Sequence, residues 1–423
     1  MNILMLGWEY PPKHTGGLGI ATQELARALV KSGHNVTFMI PKYDPESGND
    51  INVVDASSLS PDFKKWMKKE QHVKKIKFLE IGTSLLPYLP PRTFESTREE
   101  VHTSFTDTEI SDLLKEIKLT GTYGENLHGE IRKFALLVAE YASQHEFDLV
   151  HSHDWMTFPA ATVVKELTKI PMIAHVHSTE FDRNGAHVNE DIMQIEADGL
   201  KAADVILTVS STQKRLIHER YGIDNNQMEV VPNVKPSSKA KRAENKQGPR
   251  VGFFGRMVDQ KGPGRFVDIA HELHQRIPNM SFIMVGDGYL LPTVLDKIKR
   301  TNLNSHFTLT GFLHQDLALD KMSTCDVVVM PSNSEPFGLV ALEAASIGVP
   351  VVISDHAGVN EFLPSLVKVP KWDTFTFSNK IQELIDNPSM NHDLGQQLKK
   401  ETSKLDWKYI LPKITSIYQN LNV

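Results

Sequence analysis

The chain has 423 residues and carries 46 Lys and Arg against 52 Asp and Glu, a formal charge of −6, so nothing in its balance points to nucleic acid as a partner. Hydrophobic residues make up 40% and charged residues 23%, which excludes the disordered class and gives length enough for two or three domains. No run approaches the ~18 apolar residues of a membrane helix. The single cysteine, Cys325, excludes an intrachain disulfide, so we expect a cytoplasmic protein in which Cys325 fills apolar space.

MNILMLG (1–7) lacks a basic flank and reads as a first strand, not a signal peptide. A glycine-rich turn containing Gly16, Gly17 and Gly19 follows, then a helical pattern from Ile20 to Lys31 and a second strand, Asn35 to Pro41. This βαβ opening predicts a parallel, doubly wound sheet. The Gly17-x-Gly19 pair is a poor dinucleotide fingerprint, because Thr22 stands where the last glycine belongs and no acid ends the second strand; this opposes a dehydrogenase.

Residues 42–129 read as an elaboration of the first domain. Within it, 64–77 is basic with apolar residues interspersed, the pattern of a solvated helix face or of a contact with an anionic membrane surface. The proline-rich 87–94 must be a loop. An amphipathic helix is predicted from Leu127 to Ser143. FDLVHSHDW (147–155) and IPMIAHVHSTEFDR (170–183) are strands whose carboxyl ends carry His151, His153 and Asp154, and His175, His177, Glu180, Asp182 and Arg183. Four histidines with three acids invite a metal centre. Alternate strand residues can share a face without converging on the acids, so we expect no metal site. ADVILTVS (203–210) and MEVVPN (228–233) close the first domain, and the polar stretch 234–249 is expected to be a linker.

The second domain, 250–404, opens with the strand VGFFG (251–255), a loop bearing Arg256 and Lys261, and a helix started by Pro263. SFIMVGDG (281–288) and Phe307 to Leu313 are further strand-to-loop edges. The region of most chemical content is 326–354: the buried strand DVVVM, a loop, a helix expected over Phe337 to Ile347, and the strand PVVIS. Its loop lies at the carboxyl edge of a parallel sheet, where such sheets bind ligands. The amides near Gly338, Leu339 and Val340 suit a diphosphate at a helix N-terminus. Glu335 stands before the helix and Glu343 about six residues, ~9 Å, along it, so the two carboxylates flank the diphosphate as in a sugar–diphosphate–nucleoside. Two helical patterns, 373–386 and 388–403, precede a last helix over 405–421.

EPFGLVALE (335–343) followed by A-x-x-x-G-x-P-V-V resembles the signature of retaining glycosyltransferases of family 4, which have the GT-B fold: α/β, two Rossmann-like doubly wound domains with the active site in the cleft between them. The resemblance implies that Glu335 contacts the donor sugar and Glu343 the ribose, with Phe337 in the donor site. It also implies that Arg256 and Lys261, in a segment similar to the family's G-R-x-x-x-x-K-G, contact the diphosphate, and that the backbone at Gly311 and Phe312 reads the base. The glycine segment resembles the K-x-G-G-L-G of glycogen and starch synthases, placing Gly17 near the donor phosphates. Lys13 is separated from Thr15 by His14, so K-T-G-G-L is broken and no phosphate role follows for Lys13. His177 matches a histidine beside the reacting sugar; Asp154, within H-D-W, and Arg183 are expected on the acceptor side. The terminal helix, 405–423, is expected to rejoin the first domain, 1–233.

The expected activity is therefore transfer of a hexose, glucose from UDP- or ADP-glucose, to a carbohydrate or other hydroxyl acceptor, with no cofactor and no metal; there is no Asp-x-Asp motif. The alternatives are a GT-B sugar-nucleotide epimerase, another hexosyltransferase such as a mannosyltransferase with a lipid or protein acceptor, and a non-catalytic nucleotide-sugar binder.

Overall fold

The computed structural model describes residues 1–11, 17–43, 51–60, 117–124, 126–235, 240–243 and 248–421. Expectations for Lys13, His14, Gly16, the basic stretch 64–77 and the loop 87–94 fall outside them. The chain divides into two compact units. One comprises Met1–Thr208, Lys214–Val231 and Leu411–Val423; the other comprises Val209–Gln213 and Pro232–Ile410.

In the first unit, seven strands, β1 (Asn2–Leu6), β2 (Asn35–Ile40), β3 (Asn52–Asp55), β4 (Leu149–His153), β5 (Met172–Val176), β6 (Val205–Thr208) and β7 (Met228–Val230), form a parallel sheet in the order β3-β2-β1-β4-β5-β6-β7. Helices α1 (Gly17–Lys31), α2 (Leu127–Ala142), α3 (Phe158–Thr168), α4 (Glu180–Asn184), α5 (Glu190–Ala202) and α6 (Ser211–Tyr221) connect them. Strand runs such as NILML and MIAHV are buried almost throughout, as a parallel sheet covered on both faces requires. The apolar side of α2, with Phe134, Leu137 and Val138 fully buried, packs with Trp8, Trp155 and Phe158.

The second unit repeats the plan. Strands β8 (Arg250–Phe254), β9 (Ser281–Val285), β10 (Phe307–Leu309), β11 (Val327–Met330), β12 (Val351–Ser354) and β13 (Val367–Val369) lie in the parallel order β10-β9-β8-β11-β12-β13. Its helices are α7 (Pro263–Arg276), α8 (Leu291–Arg300), α9 (Gln315–Ser323), α10 (Leu339–Ile347), α11 (Thr374–Asp386) and α12 (Pro388–Thr402); α13 (Trp407–Leu421) begins in this unit and ends in the first. Alternate strand residues feed two cores: Phe253, Val327 and Val329 one, Phe254, Val328 and Met330 the other. Each buried aromatic or aliphatic side chain of this kind contributes about 1.5–3 kcal/mol.

Both sheets therefore reverse strand order at one gap, β1/β4 in the first and β8/β11 in the second. Such a gap is where loops part and leave a crevice.

Three expectations need correction. Helix α1 starts at Gly17, before Ile20. Helix α10 starts at Leu339, not Phe337; Gly338, with φ 119°, turns the chain as its N-cap, and Phe337 is buried in the core ahead of it. The edge from Phe307 to Leu313 is strand as far as Leu309 and loop beyond it, where Gly311 adopts φ 69°. Within 234–249 the described residues are not all solvated: Lys235 N–H donates to the Leu405 carbonyl at 2.9 Å, Ala243 N–H to the Ser323 carbonyl at 3.0 Å, and Arg242 to Asn391.

Candidate functional site

In the second unit, the loops after β8 and β11 leave adjacent strands, since Val327 pairs with Val251 and Val328 with Gly252. The first loop carries Arg256 and Lys261 and leads into α7, which bears Arg265 in its first turn; the second carries Ser332, Asn333 and Glu335. Backbone bonds lace them together. Asn333 N–H donates to the Gln260 carbonyl at 2.8 Å, and the Asn333 side-chain amide donates to the Asp259 carbonyl at 2.7 Å. Arg265 donates to the Pro331 carbonyl and, at 2.7 Å, to Asn333 Oδ1. Held this way, Lys261 Nζ stands 2.8 Å from both carboxylate oxygens of Glu335. Ser332 Oγ donates to Glu335 Oε2 at 3.1 Å, and Glu335 is only 6% exposed. Arg256 is exposed on the same loop.

The chain then runs directly into α10. Glu335 and Phe337 carbonyls accept Gly358 N–H at 2.9 Å and Val359 N–H at 2.7 Å, which pins the approach to the helix. A Cβ at position 358 would lie 2.0 Å from the Pro336 carbonyl oxygen, so only glycine permits this backbone approach. Leu339 and Val340 open the helix, so their N–H groups have no carbonyl within it to bond. Ala341 and Leu342 donate back to Gly338. Glu343 lies four residues after Leu339, about 6 Å of rise, shorter than expected from a helix starting at Phe337. Gln315, at the start of α9, donates to Glu343 Oε1 at 2.9 Å. Burial pushes the Glu343 carboxyl above its ordinary range, and the Gln315 bond opposes that. At the neighbouring sheet edge, the Gly311 carbonyl accepts Gly286 N–H at 2.9 Å, and Phe312 stands 52% exposed against His314.

In the first unit, β4 and β5 pair with His153 opposite His175. All four histidines consequently fall on one sheet face and form a closed box. His151 Nε2 and His175 Nδ1 are 3.2 Å apart, and His153 Nδ1 and His177 Nε2 are 3.0 Å apart. These two pairs stack, with ring centroids 4.5 Å apart for His151/His153 and 4.4 Å for His175/His177. Tyr418 of α13, fully buried, places its hydroxyl 2.6 Å from His151 Nδ1. Burial holds all four imidazoles far below their ordinary range, His151 and His177 at about 3, so they are neutral at pH 7.

His151, His153 and His175 bring ring nitrogens within 4.8 Å of one another, close enough to share an ion. His151, however, already engages both of its nitrogens, Nδ1 with the Tyr418 hydroxyl at 2.6 Å and Nε2 with His175 Nδ1 at 3.2 Å, so it has no lone pair to give an ion while those bonds hold.

Two acceptor-side expectations change. Asp154 has φ 58°, and its carboxylate turns inward, accepting His177 N–H at 2.7 Å and Ser178 N–H at 3.4 Å. It is therefore a brace for the His177 loop. Burial raises its pKa to about 7 against those amide bonds and the nearby Arg183 charge. Arg183 is committed internally: Nε donates to Glu180 at 3.1 Å, Nη2 to Glu196 at 2.6 Å and Nη1 to the Ser178 carbonyl at 3.1 Å. With its side chain 4% exposed, it is no cation for an acceptor. Gly17 is exposed at the first position of α1.

Sequence reading passed over Ser332, Asn333, Arg265, Gln315 and Tyr418, none of which sits in a recognisable spacing. It also passed over Glu9, a buried acid just beyond β1 that takes the Tyr123 hydroxyl and packs beside Gly19. An acid directly following the first strand was the available signal.

Residues 2–228 match the family model for the starch synthase catalytic domain. The chain belongs to this family. Residues 234–401 match the model for glycosyl transferases group 1. This starch-synthase-like glycosyltransferase is 23% identical to glycogen synthase of Mycobacterium tuberculosis over 433 aligned residues, covering 99% of the chain and 94% of the relative. Among solved structures it resembles sucrose-phosphate synthase from Thermosynechococcus elongatus, with TM-score 0.72, 19% identity, and 99% and 98% of the two chains covered. It also resembles Anabaena HepE solved with UDP and glucose, with TM-score 0.65, 18% identity and 99% of each chain covered. These likenesses give the two parallel-sheet Rossmann-like units the GT-B fold. Among the described residues no helix is long and apolar enough to cross a membrane.

Proposed function

We propose that this enzyme, as a retaining transferase of family 4, moves glucose from UDP- or ADP-glucose to a hydroxyl acceptor of the α-glucan kind. The observation that carries the donor assignment is Lys261, held 2.8 Å from both oxygens of Glu335 beside the N-terminus of α10. A diphosphate arriving at that terminus meets the Leu339 and Val340 amides, Lys261 and Arg256. Together these stabilise the negative charge that grows on the departing nucleoside diphosphate. The same two cations supply the neutralisation, so the reaction is assigned no metal.

Glu335 changes partner as the donor binds, with Lys261 turning to phosphate and the freed carboxylate accepting sugar hydroxyls. Glu343 accepts from ribose, Phe337 shapes the site from within the core, and the edge at Gly311 and Phe312 takes the base. HepE, of the same fold, was solved with UDP and glucose, which supports a uridine donor. To the first unit the reading assigns the sugar contact of His177 and the phosphate approach of Gly17. The leaving phosphate oxygen accepts the acceptor's proton on the face of attack, so no separate base is assigned. The single buried, free Cys325 is in keeping with the cytoplasm.

A panel of UDP-, ADP- and GDP-sugars tests this by thermal shift, since ligand binding raises the melting temperature by mass action, followed by product analysis with maltooligosaccharides. Stabilisation by one glucose nucleotide and α-linked extension of the acceptor are expected. Donor breakdown without a glycosylated product contradicts the assignment.

A further inference from the structure

We propose that Tyr418 of α13 is a positioning residue for His177, setting the ring tautomers of His151 and His175 so that the stacked imidazole box holds the His177 ring in one orientation. The proposal relies on the reading above only for what His177 does with a substrate.

A neutral imidazole has one N–H and one lone pair. His151 uses both nitrogens, Nδ1 with the Tyr418 hydroxyl at 2.6 Å and Nε2 with His175 Nδ1 at 3.2 Å. One contact must therefore donate and the other accept. A phenol O–H is a stronger acid than a neutral imidazole N–H, so Tyr418 donates to Nδ1. His151 then carries its hydrogen on Nε2 and donates it to His175 Nδ1. His175 in turn must carry its own hydrogen on Nε2. One hydroxyl thereby fixes two rings. Without it, His151 is free to reverse, and His175 reverses with it.

His177 is restrained by that pair in two ways. Its ring stacks on His175 at 4.4 Å and 25°, and its Nε2 meets His153 Nδ1 at 3.0 Å, while His153 stacks on His151. The box is closed, so a change in one hydrogen-bonded pair is felt by the other through both stacks. His177 Nδ1, His175 Nε2 and His153 Nε2 are buried and have no hydrogen-bond partner among the described residues, so no other bond holds these rings in orientation at those atoms. Burial keeps the rings uncharged at neutral pH, so the relay passes orientation and not charge.

The test uses the full chain with 15N-labelled histidine. Ring-nitrogen shifts should report His151 and His175 as Nε2–H tautomers in the parent protein. In Tyr418→Phe, which keeps the packed ring, at least one should convert to Nδ1–H or to a mixture. The kcat for glucosyl transfer should fall about tenfold, the scale of one hydrogen bond, while donor KM stays unchanged and the melting temperature falls by only a few degrees, as loss of one buried hydrogen bond requires. His151→Phe, which retains the stack and breaks the relay, should reproduce the kcat loss. Unaltered tautomers and kcat in Tyr418→Phe overturn the proposal, as does a stoichiometric transition metal in the purified protein. Absence of any transferase activity in the parent protein sinks the functional reading alone, because the spectra still decide the relay.

Discussion

Lys261 of one loop and Glu335 of the next form a bidentate ion pair, Nζ lying 2.8 Å from each carboxylate oxygen. The glutamate is nearly buried and the lysine side chain is 21% exposed. Separating the two leaves a carboxylate with little water to replace its partner. Lys261→Ala should therefore cost about 1–3 kcal/mol of folding stability, less than a fully buried pair because solvent reaches the lysine. Glu335→Gln, which keeps the shape, should cost less. Both should lower kcat/KM at least about a hundredfold if the groups serve the departing diphosphate and the sugar. Urea denaturation and steady-state kinetics on the two variants separate these effects, and near-normal turnover by either removes that residue from the site.

On the proposed reading, Glu343 binds the ribose, a part of the donor that does not react. Glu343→Ala should raise donor KM about tenfold or more with kcat little changed, the signature of binding lost equally from ground and transition states. A fall confined to kcat argues instead for a role at the reacting sugar.

The pH dependence of stability follows from opposed groups. Four imidazoles have folded pKa values depressed below the unfolded 6.5, so the unfolded chain binds more protons as pH falls below that value, and stability is lost there. Asp154 is raised to about 7. Its contribution is fully present below its unfolded value near 4 and is lost as pH rises to about 7. Four groups outweigh one, so within this cluster stability should rise from pH 4 to 6.5. Asp154→Asn removes the opposing group, and asparagine tolerates the φ of 58°. That variant should show a steeper rise between pH 4.5 and 6.5 in denaturant midpoints. An identical slope in both proteins refutes the assignment of Asp154 as a titrating brace.

Arg183 separates structure from chemistry. Arg183→Met leaves Glu180 and Glu196 buried with their cation removed, at a cost of about 3–5 kcal/mol. At a temperature where the variant is folded, acceptor KM should match that of the parent protein. A selective rise in acceptor KM restores Arg183 to the acceptor side.

Much of the architecture was legible because parallel strands are continuous apolar runs: VVVM, VVIS and FIMV need no partner to be recognised. The residues proposed for the donor were singled out for a different reason, since Glu335, Lys261 and the opening of α10 all flank such strands. What was illegible is non-local or conformational. The start of α10 depends on Gly338 adopting φ 119°, which no helix propensity encodes. The histidine box depends on the register that sets His153 opposite His175, and two strands read separately cannot give it. Arg183 looked available because its second carboxylate partner, Glu196, lies on α5 and is adjacent only after folding. Tyr418 is 267 residues from His151, beyond any spacing argument.

That separation has a bearing on how the chain is made. Strands β1 to β7 are all synthesised before residue 231, yet Leu411–Val423 belongs to the same unit, and Tyr418 and Ile414 are buried in it. The ribosome must therefore complete an entire second Rossmann-like unit before the earlier one receives its final helix. Until then the nascent first sheet waits with an uncovered pocket over His151, and any truncation or fusion that displaces the last two turns of α13 reopens it.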